Sequence, residues 1–215
     1  MKTYIIAVSL FVSLLLSGCV FGASPEENIS TVLDTTYEKE QGFVEAQEQI
    51  VELEQNENTL FGEIMALSME EFDQIIVLAD EALVNLDERE TQLGVETESM
   101  KEAKDEFQAI NEYTSDIKDE SLKEHVEEMI QLMDKRYTIH SDLLTAYDAS
   151  LQLDRELYTM LKNEELTLDE LEEQIESVNA KYAEIVAAND EFNAITDQYN
   201  EMKSEFYNLT DVNEE

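Results

Sequence analysis

The sequence predicts an all-α protein, an elongated antiparallel bundle of three to four long helices with coiled-coil-like seams. Three observations carry that expectation. Breakers are nearly absent: Pro25 is the sole proline, the glycines after Gly22 are Gly42, Gly62 and Gly94, and neither residue type occurs from Val95 to Glu215. A β-rich chain needs a turn residue roughly every ten positions, whereas long helices do not. Apolar residues recur at helical steps of three, four and seven. Three S/T-x-x-E stretches, at Ser24, Ser68 and Thr167, have the form of capping boxes that start helices.

The first helix begins at Ser24, with Pro25 at its first position and Glu26 and Glu27 on the positive end of its dipole. Its apolar row is loose through Ile29, Leu33 and Thr36 and firmer through Phe43, Ala46, Ile50, Leu53, Leu60, Ile64 and Leu67. Gly42 and Gly62 soften it without breaking it, each costing about 1 kcal/mol relative to alanine. The second starts at Ser68 and sets Phe72, Ala79, Leu86, Leu93, Met100 and Phe107 seven apart, which calls for a left-handed supercoil against a neighbour. Arg89 and Glu96 fall on the same row, so the seam should be weakest there. From Glu112 to Ser121 the pattern lapses, and Thr114, Ser115 and Asp116 offer turn or cap chemistry.

The third helix runs through Val126, Ile130, Met133, Tyr137, His140, Leu144, Tyr147, Leu151, Asp154, Tyr158 and Leu161, and Asn163-Glu164-Glu165 interrupts it. The fourth starts at Thr167 and continues through Leu171, Ile175, Val178, Tyr182, Ile185, Ala188, Phe192, Ile195, Tyr199, Met202, Phe206 and Leu209, its seam shifting by one residue near Ala188. Segments of about 40 residues would be rods of roughly 60 Å. Short loops favour antiparallel neighbours. A three-helix, spectrin-like arrangement with one broken helix is the alternative.

Ahead of the helices stands an N-terminal address. Met1-Lys2 is a short positive region, Tyr4 to Leu16 is apolar, and Leu16-Ser17-Gly18-Cys19 has the form of a lipobox with cleavage between Gly18 and Cys19. The apolar run is shorter than the ~20 residues of a transmembrane helix. Acyl chains on Cys19, including palmitate, would anchor the chain to the outer face of the cell membrane. The expected organisation is a signal peptide at 1–18, a lipidated N-terminus and linker at 19–25, a helical bundle at 26–209 and a frayed acidic tail at 210–215. Cys19 is the only cysteine, so acylation leaves no thiol for a disulfide, a nucleophile or a metal site.

Charge narrows the partners. The chain carries 52 acidic residues against 13 Lys and Arg, a net −39, and loss of Lys2 with the signal peptide makes it −40. Nucleic acid and anionic lipid surfaces repel such a chain.

A lipobox followed by Ser24-Pro25-Glu26-Glu27, then Leu67-Ser68-Met69-Glu70-Glu71-Phe72-Asp73, Asp80-Glu81-Ala82-Leu83 and Glu88-Arg89-Glu90, resembles the YkyA-type cell-wall binding lipoproteins of Gram-positive bacteria. The resemblance covers most of the mature chain, more clearly in its first half. It implies a surface lipoprotein and supplies no set of binding residues.

Enzyme motifs are missing: no G-x-S-x-G, no H-E-x-x-H, no phosphate-cradling glycine loop and no EF-hand ladder. No cofactor is expected. His140 lies on the apolar row between Tyr137 and Leu144, as a hydrogen-bonded core histidine or an interior ligand, and His125 should face solvent. Neither has a Glu three residues before it, against a ferritin-like metal site. Tyr137, Tyr147, Tyr158, Tyr182 and Tyr199 fall on or near seams; core packing is the first reading, and stacking on wall sugars the second. Interior ligand candidates are thus His140, Tyr137 and Tyr147. The expected function is a non-catalytic lipoprotein that binds cell wall or scaffolds envelope proteins, with weak divalent-cation bridging to wall polyanions. The alternative is an extracytoplasmic solute or metal receptor feeding a transporter, which would need two lobes or a ligand-sized cavity.

Overall fold

The computed structural model describes residues 23–210 and residue 212, and these are 89% helical with no strand among them. The lipobox, with Gly18 and Cys19, lies outside the described residues. The order is α1 (Pro25–Lys39), α2 (Gln41–Ala66), a 3-10 turn (Met69–Glu71), α3 (Phe72–Phe107), α4 (Ile110–Thr114), α5 (Glu120–Met160) and α6 (Leu168–Leu209). Four long rods pack together, the first of them being α1 and α2 in sequence. α2 pairs with α3 and α5 with α6, and the two hairpins meet through α3 and α5.

The starts fall where the capping boxes place them. Ser24 Oγ accepts from Glu27 N at 3.1 Å while Glu27 reaches back to Ser24 N at 2.7 Å, and Thr167 and Glu170 repeat the exchange. The third start differs: Asp119, not Thr114, Ser115 or Asp116, caps α5, its Oδ1 accepting from Ser121 N and Leu122 N. Between α3 and α5, Ile110 and Ile117 are buried, so the short α4 closes that end of the core.

The expected first helix is broken at Glu40. In an unbroken helix Phe43 N would donate to Lys39 O. Here the Ser99 hydroxyl from α3 inserts between them, accepting from Phe43 N at 2.8 Å and donating to Lys39 O at 2.6 Å. A side chain entering the backbone ladder is one of the few established causes of a kink. Gly42 makes the approach possible: a Cβ there would lie 3.1 Å from Ser99 Cβ.

Apolar burial forms two clusters along the bundle. The one at the chain-terminal end gathers Ile29, Leu33, Phe107, Ile110, Val126, Met129, Phe192 and Phe206, and the other gathers Ile50, Ile64, Ile75, Leu86, Leu151, Tyr158 and Ile185. The seam shift in α6 falls between Ile185 and Phe192, where the helix passes from one cluster to the other. Leu209, placed on the seam from its spacing, is exposed instead. His125, expected in solvent, is only 11% exposed and bonds through Nε2 to Met202 O at 2.8 Å.

Candidate functional site

Charged side chains are buried along the bundle: the Arg89 set lies within the second cluster, and Glu96 with His140 lies where the two clusters meet. Arg89 and Glu96, where the α3 seam is expected to be weakest, are 0% and 1% exposed, and Arg136 on α5 is also buried. The Arg89 guanidinium donates to Tyr147 Oη from Nη2 at 2.6 Å and from Nε at 3.1 Å, and to Tyr182 Oη at 3.0 Å. It pairs with Glu57, lies 3.4 Å from Glu54 Oε1 and 3.9 Å from Asp154 Oδ2, and packs over the Tyr147 ring. Tyr147 Oη in turn donates to Glu54 at 2.5 Å and Tyr182 Oη to Asp154 at 2.8 Å. All four rods contribute to this cluster: Glu54 and Glu57 from α2, Arg89 from α3, Tyr147, Asp154 and Tyr158 from α5, Tyr182 from α6.

One guanidinium cannot balance three carboxylates. Burial pushes the Glu57 carboxyl up to about 7, the attraction of Arg89 opposing it and the charge of Asp154 adding to it. Asp154 is raised for the same reason, burial outweighing its bond from Tyr182. Arg89 is held protonated: burial works against its charge, but Tyr147, Tyr182 and Glu57 oppose and outweigh it. Burial raises the phenols of Tyr147, Tyr158 and Tyr182, so they serve as neutral donors.

Two smaller polar sets lie beyond the cluster, toward the chain-terminal end of the bundle. His140 Nε2 lies 2.7 Å from Glu96 Oε1, Gln47 donates to Glu96 Oε2 at 2.6 Å, and the rings of Phe43 and Phe192 sit 5.6 and 5.7 Å from the imidazole. Arg136 grips Glu40 with both Nη atoms, at 2.5 and 3.0 Å, and donates from Nε to Thr196 Oγ1 at 3.0 Å. This fork ties the kink in the first rod to α5 and α6. Arginine suits both places because its planar fork matches a carboxylate and stays charged when buried.

Above the Arg89 cluster, α2 and α6 stand apart and leave a groove of about 480 Å³. Its floor comes from α3 and α5 and includes Leu93, Glu96, Leu143, Tyr147, Asp154 and Tyr158. Its walls carry Ile50, Glu54, Glu57 and Phe61 from α2 and Ile175, Val178, Tyr182 and Ile185 from α6, with Val51 and Val186 at the lips, 47% and 59% exposed. This volume lies within the 300–1,000 Å³ range of ordinary ligand sites. Among the described residues no group of three or more His, Asp, Glu or Cys could hold a metal ion.

Of the three interior candidates, Tyr147 lies in the groove floor, His140 is a core histidine whose partner Glu96 faces the groove, and Tyr137 belongs to the other cluster. Tyr137 Oη is buried without a hydrogen-bond partner among the described residues. Spacing missed Glu57, Glu54, Arg136 and Glu40. The signal that could have found the site was Arg89, Glu96 and Asp154 on rows otherwise apolar.

Fold and site define a class: an all-α bundle with a polar layer under an open groove, and no described helix long and apolar enough to cross a membrane. Residues 24–209 match the model of the YkyA family, described as "Putative cell-wall binding lipoprotein". A Bacillus subtilis (strain 168) protein named uncharacterized lipoprotein YkyA is 35% identical over 195 residues, covering 91% of this chain and 87% of that protein. The chain belongs to the YkyA lipoprotein family. A 1.6 Å crystal structure of a conserved protein of unknown function from Staphylococcus aureus shares the fold, with a TM-score of 0.62 at 13% identity over 87% of this chain and 98% of that one.

Proposed function

We propose that this chain is a lipid-anchored, non-catalytic surface protein that holds a component of the cell wall, or a protein of the envelope, in the groove between α2 and α6. The observation that supports this reading is the groove itself, ligand-sized and lined by apolar walls over a few convergent polar groups. The family's description points to the wall, and the lipobox points to Cys19 as the anchor, after removal of residues 1–18. Residues 19–25 would then be a short tether, the bundle would extend outward from the membrane, and 210–215 would be a free tail.

Charge conditions the binding. A surface near −40 facing wall polyanions is repelled, so contact should favour neutral or amine-bearing wall components, or use calcium or magnesium to bridge carboxylates to phosphates. The alternative, a receptor that hands a solute to a transporter, is favoured by one observation, the same cavity of about 480 Å³.

Co-sedimentation of the purified protein with isolated sacculi, with and without attached polyanion and across a cation series, tests the wall reading. Binding strengthened by removal of polyanion or by millimolar calcium is expected. No sedimentation under any condition would move the reading to an envelope protein or a solute. Fatty-acid labelling tests the anchor: the natural chain should take label and Cys19→Ala should not.

A further inference from the structure

The groove's chemistry selects among ligands. Four carboxylates, Glu54, Glu57, Glu96 and Asp154, line it, while the guanidinium beneath reaches only three of them. That guanidinium is itself enclosed by Tyr147 and Tyr182 and is 0% exposed, so it presents no cation to an incoming molecule. The groove therefore offers acceptors in excess over donors. Of its apolar walls, Phe61, Ile175 and Val178 are only partly covered by the rest of the bundle, while Ile50 and Ile185 are buried behind them.

Length adds a constraint. The lining runs from Gln47 to Phe61 on α2 and from Ile175 to Asn189 on α6, which at 1.5 Å per residue is about 20 Å. An extended peptide rising about 3.3 Å per residue fills that with roughly six residues.

We infer that the groove binds an extended peptide segment of about six residues that carries apolar side chains and one primary amine, the ammonium seated against Glu54, the accessible carboxylate of the set, with Glu57 and Asp154 behind it. The ammonium supplies positive charge where three carboxylates share one arginine, and the flanking apolar side chains cover the walls. The inference rests on the groove being the binding surface proposed above. It adds a proton linkage, because an arriving ammonium favours the ionised form of Glu57, which burial holds protonated up to about 7. The groups facing Glu57 are Glu54 on its own helix, Arg89 from α3, Asp154, Tyr147 and Tyr158 from α5, and Tyr182 from α6. Of these, Arg89 is held charged, and Asp154 shifts in the same direction as Glu57.

The test is calorimetric titration of the full-length protein in uncharged detergent micelles with two six-residue peptides of valine and alanine around one lysine, both blocked by acetylation of the α-amino group. The two differ only in acetylation of the lysine Nζ. The free amine should bind at least about tenfold tighter than its acetylated twin, release protons on binding near pH 6.5, and weaken as pH falls toward 5. Val186→Arg, at an exposed lip of the groove, should weaken it about tenfold, whereas Val77→Arg, equally exposed on α3 away from the groove, should leave it unchanged. Both substitutions add the same charge and disturb no core contact, so folding and overall electrostatics are controlled.

Equal binding of the two peptides, binding of neither, equal effects of the two arginines, or tighter binding of an N-acetylated oligosaccharide would each overturn the inference. Sacculus sedimentation separates it from the wider reading. A protein that sediments with sacculi but ignores both peptides retains wall binding and loses the amine site, and one that binds the amine but not sacculi does the reverse.

Discussion

The buried residue that sets the chemistry is Arg89, one of three arginines in a chain of 52 acids. Its removal leaves Glu54, Glu57 and Asp154 facing one another with no cation, and breaking a buried pair in this way costs about 3–5 kcal/mol. Arg89→Met should therefore lower the unfolding free energy by that amount in urea titration. Glu57 carries the opposite kind of signature. Unfolded it loses its proton near 4.5, while folded it keeps it to about 7, so between those values the folded state holds the extra proton. Stability contributed by this group is complete at low pH, falls as pH rises through that window and is lost above about 7; Asp154 acts in the same sense. The amount is about 2–3 kcal/mol. The exposed Glu102 and Glu170, held low by Lys39 and by the Thr167 cap, act oppositely, below 4.5, and solvent screens them. Urea midpoints at pH 5 and 7.5 should show the natural chain losing stability, and Glu57→Gln should lose about 2–3 kcal/mol less. A natural chain with a flat profile over that window would remove the case for a strained carboxylate.

At the scale of the element, the kink at Glu40 explains how one rod supplies both a core helix and a groove wall. The first turns of α1 pack against α3 and α4, and after Glu40 the chain redirects so that α2 pairs with α3 over its length. Ser99 and Gly42 hold the bend, and the Arg136–Glu40 fork braces it from the other hairpin. Three glycines in helical backbone thus differ in purpose. Gly62 and Gly94 have open space where a Cβ would go, so alanine there should stabilise by about 0.5–1 kcal/mol through helix propensity alone. Gly42→Ala meets Ser99 at 3.1 Å, and overpacking of about 1–3 kcal/mol should more than offset the propensity gain. Thermal unfolding of the three variants checks the contrast. A stabilised Gly42→Ala would mean that the bend does not depend on the close approach.

For the whole molecule, the dominant fact is unbalanced charge on a slender shape. Much of the surface is acidic, and Lys39–Glu102, Lys135–Glu191 and Arg155–Asp87 are among the few exposed pairs that relieve it. Like charges within a Debye length repel, at ~30 Å in 0.01 M salt and ~8 Å at 0.15 M. Melting temperature should therefore rise with ionic strength over this range, the reverse of what a fold held by surface ion pairs would show. A melting temperature that falls with salt would count against net repulsion as the controlling term. The same field bears on function, because it favours approach of cations and amines and hinders polyanions.

The sequence by itself determined the fold class, because helix starts and apolar periodicity are local properties: Ser24, Ser68 and Thr167 mark starts that the structure keeps, and the seven-residue row from Phe72 to Phe107 runs along one helix. It also carried the family, through short stretches such as Ser68-Met69-Glu70-Glu71. It could not say what a charge on an apolar row means. Arg89 alone reads as a flaw in a seam, and only the meeting of four rods supplies Tyr147, Tyr182, Glu57 and Asp154 to satisfy it. The break at Glu40 was likewise hidden, since Ser99 lies 56 residues from the Phe43 amide it takes up. The groove is the clearest case of a tertiary property: no segment encodes a gap, and it exists because α2 pairs with α3 and α6 with α5 while α2 and α6 are left facing each other across the buried charge.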